Sequence, residues 1–319
     1  MTASGLQQLV VIGAGVLGGQ IAWHSAFKGK SVVVYDPFEE SLDRCRAAQD
    51  QYALIYQQNL AATADDIAAT RDRLTLTTKL ADAAADADLV IEAAPESPDV
   101  KSQLYRDLSE HLPERTIIAT NSSTLLPSQF ADDSGRPDRF CCLHFANLIW
   151  SMNLAEVMAH PGTSRETILS VTRFAIEIGM VPVPLQKEHS AYVINSLLIP
   201  LLQAAQTLVT NGISTPETVD RTYMIMNRGC SHGPFGVIDI VGMETCYNIL
   251  SYWGAQNDDE QMLANAEYIK THFIDQGHMG LQTGQGYYHY PDPAYQAADF
   301  LEVPDISQAQ AIADLVGAG

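Results

Sequence analysis

Apolar runs rich in β-branched residues alternate with amphipathic stretches over roughly the first half of the chain. Such runs recur at 9–12, 31–35, 87–94 and 116–120, and stretches with helical spacing separate them. Continuous apolar runs of this length are typical of strands that are buried on both faces of a parallel sheet. Strands that alternate with helices indicate an α/β fold, so we predict a doubly wound parallel sheet.

The pattern changes close to residue 187. A short apolar run, MVPVPL, is the last predicted strand of the sheet, and the segment 191–209 that follows is strongly apolar with helical spacing. A helix that is apolar around most of its circumference must be buried against other helices or a second subunit. We therefore predict two domains, 1–187 with the sheet and 188–319 all-helical, and a homodimer formed through the second domain.

A glycine-rich turn follows the first apolar run in LVVIGAGVLG. Gly13, Gly15 and Gly18 have the GxGxxG spacing that permits a tight turn, close approach to a pyrophosphate and close packing of helix on strand. The next strand, SVVVY, ends in Asp36, about 20 residues beyond the glycines. A carboxylate there accepts hydrogen bonds from ribose hydroxyls and repels a 2′-phosphate, so the motif predicts NAD rather than NADP. The alternative is an ordinary strand–helix turn followed by a capping aspartate.

Polar side chains follow two later strands. Glu96 and Lys101 come after the strand ADLVIEAA, and the sequence Asn121-Ser122-Ser123-Thr124 comes after the strand at 116–120. Ligands bind at the carboxyl edge of such sheets, so we predict that these residues contact the cofactor or a substrate carbonyl. Surface charges and helix capping are the alternative interpretation.

The segment CCLHFANLIWSMNLAEVM supplies the candidate acid–base chemistry. His144 ends one apolar run and Glu156 lies inside the next. Burial of a carboxylate is costly unless it is paired, and an imidazole partner would gain a fixed tautomer. We predict a catalytic pair of His144 and Glu156; the alternative is a histidine bonded within the core and a surface glutamate.

Composition and charge narrow the remaining function classes. The 319 residues carry 18 basic and 38 acidic side chains, a formal charge of −20, which argues against nucleic-acid and anionic-membrane partners. The five cysteines show no metal-binding spacing, so no metal is expected. The short, uncharged apolar run at the N-terminus does not resemble a signal or membrane segment, and we expect a cytoplasmic protein.

Characteristic segments are spread over almost the whole chain: GAGVLG, VYD, EAAPES, NSST, LHFAN, AEVM, YVINSLL and GQGYYHY. In these segments the chain resembles the 3-hydroxyacyl-CoA dehydrogenase family, and within that family the bacterial diketoreductase branch. The resemblance implies a Rossmann-type NAD domain, a helical dimerisation domain and hydride transfer between NAD(H) and a 3-hydroxy or 3-keto group. It implies catalytic roles for His144, Glu156, Ser123 and Asn195, and substrate contacts for Ser123 and Asn195. It also implies cofactor contacts for Asp36, Glu96, Lys101, Ser123 and Asn147. From the glycine turn and the strand ends themselves we predict further cofactor contacts for Gly13, Gly15, Val16, Leu17, Gly18 and Asn121.

The departures from the family pattern concern the substrate. Members that act on CoA esters carry lysines in the helical arm after the second strand, whereas residues 47–70 here contain no lysine or arginine. Leu148 replaces a common proline, and Gln282 replaces a lysine near the C-terminus. Trp150 offers a flat apolar wall for a substrate or is a core aromatic. We therefore expect a free 3-keto or 3,5-diketo acid or ester, with a 3-hydroxyacyl-CoA as the alternative.

Two further readings stay open. A β-hydroxyacid dehydrogenase with a catalytic lysine one helical turn before an asparagine is disfavoured, because Ala191 occupies that position before Asn195. A non-enzymatic protein of the λ-crystallin type uses the same fold, but the intact set of four catalytic residues favours an enzyme.

Overall fold

The computed structural model describes residues 4–230 and 234–317, which form two compact units. Residues up to Gln203, together with those from Val303 onward, form the first unit, and Ala204–Glu302 form the second. The predicted boundary at residue 187 lies before this division and stays a prediction. Among the described residues, no helix combines the length and apolar character needed to cross a membrane.

Eight strands form one sheet in the first unit. They are β1 (Gln8–Ile12), β2 (Ser31–Tyr35), β3 (Leu74–Thr77), β4 (Leu89–Glu92), β5 (Ile117–Thr120), β6 (Phe140–Phe145), β7 (Leu154–Met158) and β8 (Val181–Pro184). Their order is β3-β2-β1-β4-β5-β6-β7-β8, and every neighbouring pair is parallel except β6 and β7. The prediction of an α/β sheet is confirmed, with β7 and β8 running opposite to the other six strands.

Twelve helices accompany the sheet in the described residues. They are α1 (Val16–Phe27), α2 (Glu39–Asn59), α3 (Ala64–Asp72), α4 (Leu80–Ala84), α5 (Pro98–Ser109), α6 (Arg165–Glu177), α7 (Ile194–Thr210), α8 (Pro216–Met226), α9 (Pro234–Val241), α10 (Met243–Asn257), α11 (Glu260–His272) and α12 (Ala309–Leu315). The second unit consists of the end of α7, α8–α11 and short 3₁₀ turns, in keeping with the all-helical prediction. Helix α12 packs on α6 in the first unit, where Arg165 donates to the carbonyl oxygens of Ala313 and Val316.

The core explains why the strands are apolar throughout. Alternate residues of β1 enter different hydrophobic clusters: Leu9 and Val11 pack on one face of the sheet, Val10 and Ile12 on the other. Both faces are therefore covered, as in other parallel sheets. The chain leaves β1 to β2 on one side and reaches β4 on the other, so the carboxyl ends of β1 and β4 form a switch point where ligands bind in such folds.

A buried aspartate organises part of the second unit. Asp239 on α9 accepts hydrogen bonds from the backbone N–H groups of Tyr287 and Tyr288, each at 2.9 Å, and from the Tyr290 hydroxyl at 3.0 Å. A Cβ atom at Gly286 would lie 2.2 Å from the Asp239 carboxylate. These contacts explain Gly286 and Tyr290 in the GQGYYHY motif as parts of a structural clasp.

Candidate active site

The glycine turn between β1 and α1 is built as its spacing predicts. Gly13 has φ +99°, and a Cβ there would lie 2.5 Å from the Ala93 carbonyl oxygen at the end of β4. A Cβ at Gly18 would lie 2.0 Å from the Gly13 carbonyl oxygen. Both positions therefore require glycine. Gly15 is the N-cap of α1, and a Cβ there would meet nothing within 4 Å, which leaves the helix N-terminus open.

A cavity of about 270 Å³ lies where β1, β4 and β5 end. It is lined by Gly15, Val16, Leu17, Gly18, Ala93, Ala94, Glu96, Asn121 and Ser123, none of which is basic. The free N–H groups at the start of α1 supply positive polarity without a cationic side chain. The open glycine at the N-cap and the polar residues opposite fit the pyrophosphate and adjoining groups of a dinucleotide. Among the described residues, no group of three or more potential ligand side chains could hold a metal ion.

Asp36 lies at the end of β2, beside the glycine turn. Its Oδ2 accepts a hydrogen bond from the Ala14 N–H at 3.0 Å, and its Oδ1 accepts one from the Phe38 N–H at 3.0 Å. The carboxylate is half-buried, so it is held in place while remaining accessible. In dinucleotide-binding folds, a carboxylate at this position accepts hydrogen bonds from the ribose hydroxyls.

Glu96 gathers the loop that carries Ser123. Its Oε1 accepts from the Ser122 hydroxyl at 2.5 Å and from the backbone N–H groups of Ser123 and Thr124 at 3.1 and 2.8 Å. Burial alone would raise the pKa of Glu96, but the hydrogen bonds from Ser122 and Thr124 and the Lys101 ammonium outweigh it and lower that pKa to about 2. The Glu96 carboxylate is thus ionised and fixes the backbone around Ser123.

Lys101 belongs to a buried polar network that the sequence analysis missed. Its Nζ lies 2.6 Å from Oε1 of Glu92, the last residue of β4, and 3.5 Å from Oε2 of Glu96. Glu92 also accepts from the Tyr105 hydroxyl and from the Thr120 hydroxyl at 2.7 Å. Burial and the neighbouring Glu92 raise the pKa of Tyr105 well above its usual value, so its hydroxyl remains a donor. The sequence did contain a signal for this network: Glu92 is a carboxylate within an otherwise apolar strand, and such a group needs a buried partner.

His144 and Glu156 face each other across β6 and β7, where they are register partners. The His144 Nδ1 lies 2.7 Å from the Glu156 Oε2, and both side chains are buried. Because an ionised carboxylate only accepts hydrogen bonds, Nδ1 carries a proton and Nε2 is the nitrogen that can exchange one. The Ser123 Oγ lies 3.1 Å from Nε2. A hydrogen-bonded chain therefore leads from the buried carboxylate to the serine that lines the cavity.

The start of α7 completes the surroundings of this pair. Glu156 Oε1 accepts from the backbone N–H groups of Val193 and Ile194 at 2.8 and 2.9 Å, so two amide dipoles hold the second carboxylate oxygen. Asn195 is the second residue of α7 and is half-buried. The ring of Tyr192 stacks on His144 with centroids 4.9 Å apart. Asn195 is thus placed beside the pair as predicted from its sequence position, and Tyr192, which no sequence motif indicated, lies there as well.

The other predicted residues occupy less direct positions. Asn121 is buried and its Oδ1 accepts from the Phe145 N–H at 2.8 Å, which joins the ends of β5 and β6. Asn147 lies exposed beyond β6, and Lys101 is not among the residues that line the cavity. Trp150 is half-buried and packs on Tyr52 and Tyr56, with centroid distances of 6.0 and 6.2 Å. Its core packing is thus visible, whereas a substrate contact stays a prediction.

Comparison with known proteins gives matches to the same family along both parts of the chain. The family model for the 3-hydroxyacyl-CoA dehydrogenase NAD binding domain matches residues 8–189, and that for the 3-hydroxyacyl-CoA dehydrogenase C-terminal domain matches residues 192–290. The chain is 31% identical over 290 residues to the human mitochondrial hydroxyacyl-coenzyme A dehydrogenase, covering 89% of this chain and 91% of that protein. It is 32% identical over 283 residues to a probable 3-hydroxybutyryl-CoA dehydrogenase of Deinococcus radiodurans, covering 88% and 99%.

A solved structure with higher identity is that of a diketoreductase, described for its dual catalysis of dicarbonyl compounds. It is 44% identical to this chain, covers 91% of it and 100% of its own length, and has a TM-score of 0.66.

Proposed function

Because the chain belongs to the 3-hydroxyacyl-CoA dehydrogenase family, we propose that it interconverts 3-keto and 3-hydroxy groups on free acids or esters, including 3,5-diketo compounds. It is an NAD-dependent oxidoreductase acting on CH–OH groups. The observation that carries the proposal is the hydrogen-bonded chain Glu156–His144–Ser123 beside the cavity at the carboxyl edge of the sheet.

In the proposed reaction the nicotinamide cofactor supplies or accepts the hydride and His144 transfers the proton. During reduction the His144 imidazolium donates the Nε2 proton to the ketone oxygen, which Ser123 and Asn195 hold. During oxidation the neutral Nε2 accepts the proton of the substrate hydroxyl. Glu156 keeps the other proton on Nδ1 and stabilises the cationic ring, a kind of assistance that contributes about 10²- to 10⁴-fold.

The charges near α2 and α3 support a substrate without coenzyme A. Arg71 forms an ion pair with Asp50 at 2.7 Å and lies over the Trp23 ring, and Arg73 donates to the Ala26 carbonyl oxygen. Arg44 and Arg46, which precede the segment 47–70, contact Ser41 and Asp43. All four cations that flank this segment therefore have partners within the protein. Recognition of a 3′-phosphate and a pyrophosphate normally uses free arginine or lysine side chains. The net charge of −20 opposes such polyanions at longer range as well.

The relatives point in two directions. The human and Deinococcus proteins are named for CoA esters, whereas the diketoreductase, at higher identity, is described for dicarbonyl compounds. The charge distribution favours the second class, and a 3-hydroxyacyl-CoA substrate is the alternative. We also propose that the protein forms a homodimer and is located in the cytoplasm.

The deciding experiment compares kcat/KM for acetoacetyl-CoA and for a free β,δ-diketo ester, with NADH, at low and moderate salt. We expect the free ester to be preferred. A preference of tenfold or more for the CoA ester would overturn the substrate proposal and return the protein to the main family activity.

His144→Ala is the control for the site. It should lower kcat by about 10²- to 10⁴-fold on either substrate while the Kd for NADH changes little, since the imidazole acts on the transferred proton. If the unmodified protein oxidised no NADH with either substrate class, the enzymatic proposal would fail in favour of the λ-crystallin-like alternative.

A further inference from the structure

The ring of Tyr192 covers one face of the His144 imidazole. The ring centroids are 4.9 Å apart, the planes differ by 25°, and Tyr192 is 1% exposed. Glu156 and Ser123 contact the two nitrogens at the edge of the same imidazole. These two contacts permit the imidazole to rock about the axis through its nitrogens, whereas a ring stacked on its face opposes that motion.

Tyr192 is itself held in place. Its hydroxyl donates to the Leu125 carbonyl oxygen at 3.2 Å and lies against the Cys142 thiol. Leu125 is in the loop whose N–H groups bind Glu96, so Tyr192 connects that loop to His144. Burial, reinforced by Cys142, raises the pKa of Tyr192 well above its usual value. The hydroxyl therefore keeps its proton and acts as a donor, not as a second acid or base.

The backbone before α7 has the shape that this arrangement requires. Ala191 has φ +67° and Tyr192 has φ +55°, a left-handed conformation that residues other than glycine rarely adopt. The turn is followed directly by the two N–H groups that bind Glu156. One short segment thus supplies both the stacked ring and the donors to the carboxylate, and a disfavoured conformation of this kind is maintained where the surroundings enforce it.

We infer that Tyr192 is a positioning residue that holds the plane of the His144 imidazole and, through its π face, favours the protonated ring that serves as the acid in reduction. The inference rests on the proposed function, because it assigns Tyr192 a part in the same proton transfer. The Tyr192 ring provides the stack, and its hydroxyl keeps that ring aligned with the loop bearing Ser123.

The test uses two substitutions that separate these contributions. Tyr192→Leu removes the ring and should lower kcat by about 10- to 100-fold, the effect of a misaligned catalytic group. Tyr192→Phe keeps the ring, loses the hydrogen bond to Leu125 and should lower kcat by about two- to tenfold. The Kd for NADH should stay unchanged in both variants. The alkaline limb of the pH profile for reduction should move to lower pH in the leucine variant alone.

Phe174→Leu is the matched control. Phe174 is a fully buried aromatic of α6 that packs in the core cluster with Leu143 and Val157, on the face of the sheet opposite to His144 and Glu156. Its replacement should lower the Tm as much as Tyr192→Leu does and leave kcat and the pH profile unchanged. Equal losses of kcat in the two leucine variants would reduce Tyr192 to a general packing residue and overturn the inference.

A spectroscopic arm separates this inference from the proposed function. The Hε1 proton of His144, assigned by comparison with His144→Ala, should show a ring-current shift that Tyr192→Leu abolishes and Tyr192→Phe retains. If the native protein turns over keto substrates but Tyr192→Leu alters neither kcat nor this shift, the inference fails alone. If no substrate is turned over, the proposed function fails, and an unchanged shift in Tyr192→Leu would refute the stacking role as well.

Discussion

Replacing Glu156 by glutamine changes which nitrogen of His144 carries the proton. The Glu156 carboxylate accepts three hydrogen bonds, one from His144 Nδ1 and two from the backbone N–H groups of Val193 and Ile194. A glutamine has a single acceptor oxygen and an NH₂ group that only donates. It therefore cannot satisfy all three donors.

The two orientations of that glutamine differ in what they leave unpaired. With its oxygen towards His144, its NH₂ group opposes the N–H groups of Val193 and Ile194, each left unsatisfied at a cost of about 1–3 kcal/mol. With its oxygen towards α7, both N–H groups are satisfied, but the NH₂ group faces Nδ1. The second orientation is favoured, and it forces the neutral imidazole to carry its proton on Nε2.

That tautomer can neither accept a proton at Nε2 nor form the imidazolium without opposing donors at Nδ1. We expect Glu156→Gln to lower kcat by about 10³- to 10⁴-fold in both directions, which is about 4 to 5.5 kcal/mol of barrier. The measurement is the initial rate of NADH oxidation and of NAD⁺ reduction. Stability should change little, because the glutamine fits the same volume and keeps the α7 hydrogen bonds.

Glu177→Gln is the matched control. Glu177 is a partly buried carboxylate that pairs with Lys30 at 2.6 Å, in a part of the first unit that does not line the candidate site. Its replacement should leave kcat unchanged while lowering stability. A Glu156→Gln protein that retained activity within tenfold of the native rate in both directions would refute the assignment of the pair.

Two further predictions concern the cofactor and the acid stability of the fold. Asp36→Ala should weaken the binding of NADH more than that of NADPH, since a hydrogen bond to the ribose and a repulsion of the 2′-phosphate are both lost. The difference between the two binding free energies should become smaller by about 1–3 kcal/mol. An unchanged ratio of the two Kd values would contradict this prediction. His24 accepts from the Tyr56 hydroxyl and donates to the Ile178 carbonyl oxygen, and burial lowers its pKa from 6.5 to about 4. The unfolded chain therefore binds this proton first as the pH falls, so up to about 3 kcal/mol of stability present above pH 6.5 is lost towards pH 4. His24→Gln retains one acceptor and one donor but does not titrate, so it should remove that part of the pH dependence in urea unfolding. Identical pH slopes in the two proteins would disprove the assignment.

The sequence predicted best what is local. The glycines, the strand at 31–35 and Asp36 lie within one strand–helix–strand unit, where steric limits on the turn dictate residue type. His144 and Glu156 were predictable as partners for a related reason. Each lies in an apolar run, the runs are twelve residues apart, and neighbouring antiparallel strands bring such positions together.

What escaped prediction depends on contacts between distant segments. In the sequence, Glu92 is a single polar residue in an apolar strand. Its hydrogen bonds to Lys101, Tyr105 and Thr120 form only when β4, β5 and α5 pack together. The left-handed turn at Ala191 and Tyr192 contains no glycine, the residue from which such a turn is normally predicted. The return of the segment from Val303 onward to the first unit has no local signature, because it depends on residues far away in the sequence: Arg165 donates to the carbonyl oxygens of Ala313 and Val316, and both of these residues pack in the main core.

The register between β6 and β7 also bears on how the specificity of this enzyme could be altered. The distance between His144 and Glu156 is set by cross-strand pairing and does not depend on the eight-residue connection 146–153 that carries Asn147 and Trp150. Asn147, Ser151 and Met152 are exposed positions of that connection and can be randomised while the strands on either side keep His144 and Glu156 aligned, whereas Ile149 is fully buried in the core. A library confined to those exposed positions would measure how far this hairpin determines substrate preference while the distance between His144 and Glu156 stays constant, which makes the hairpin a suitable starting point for directed evolution.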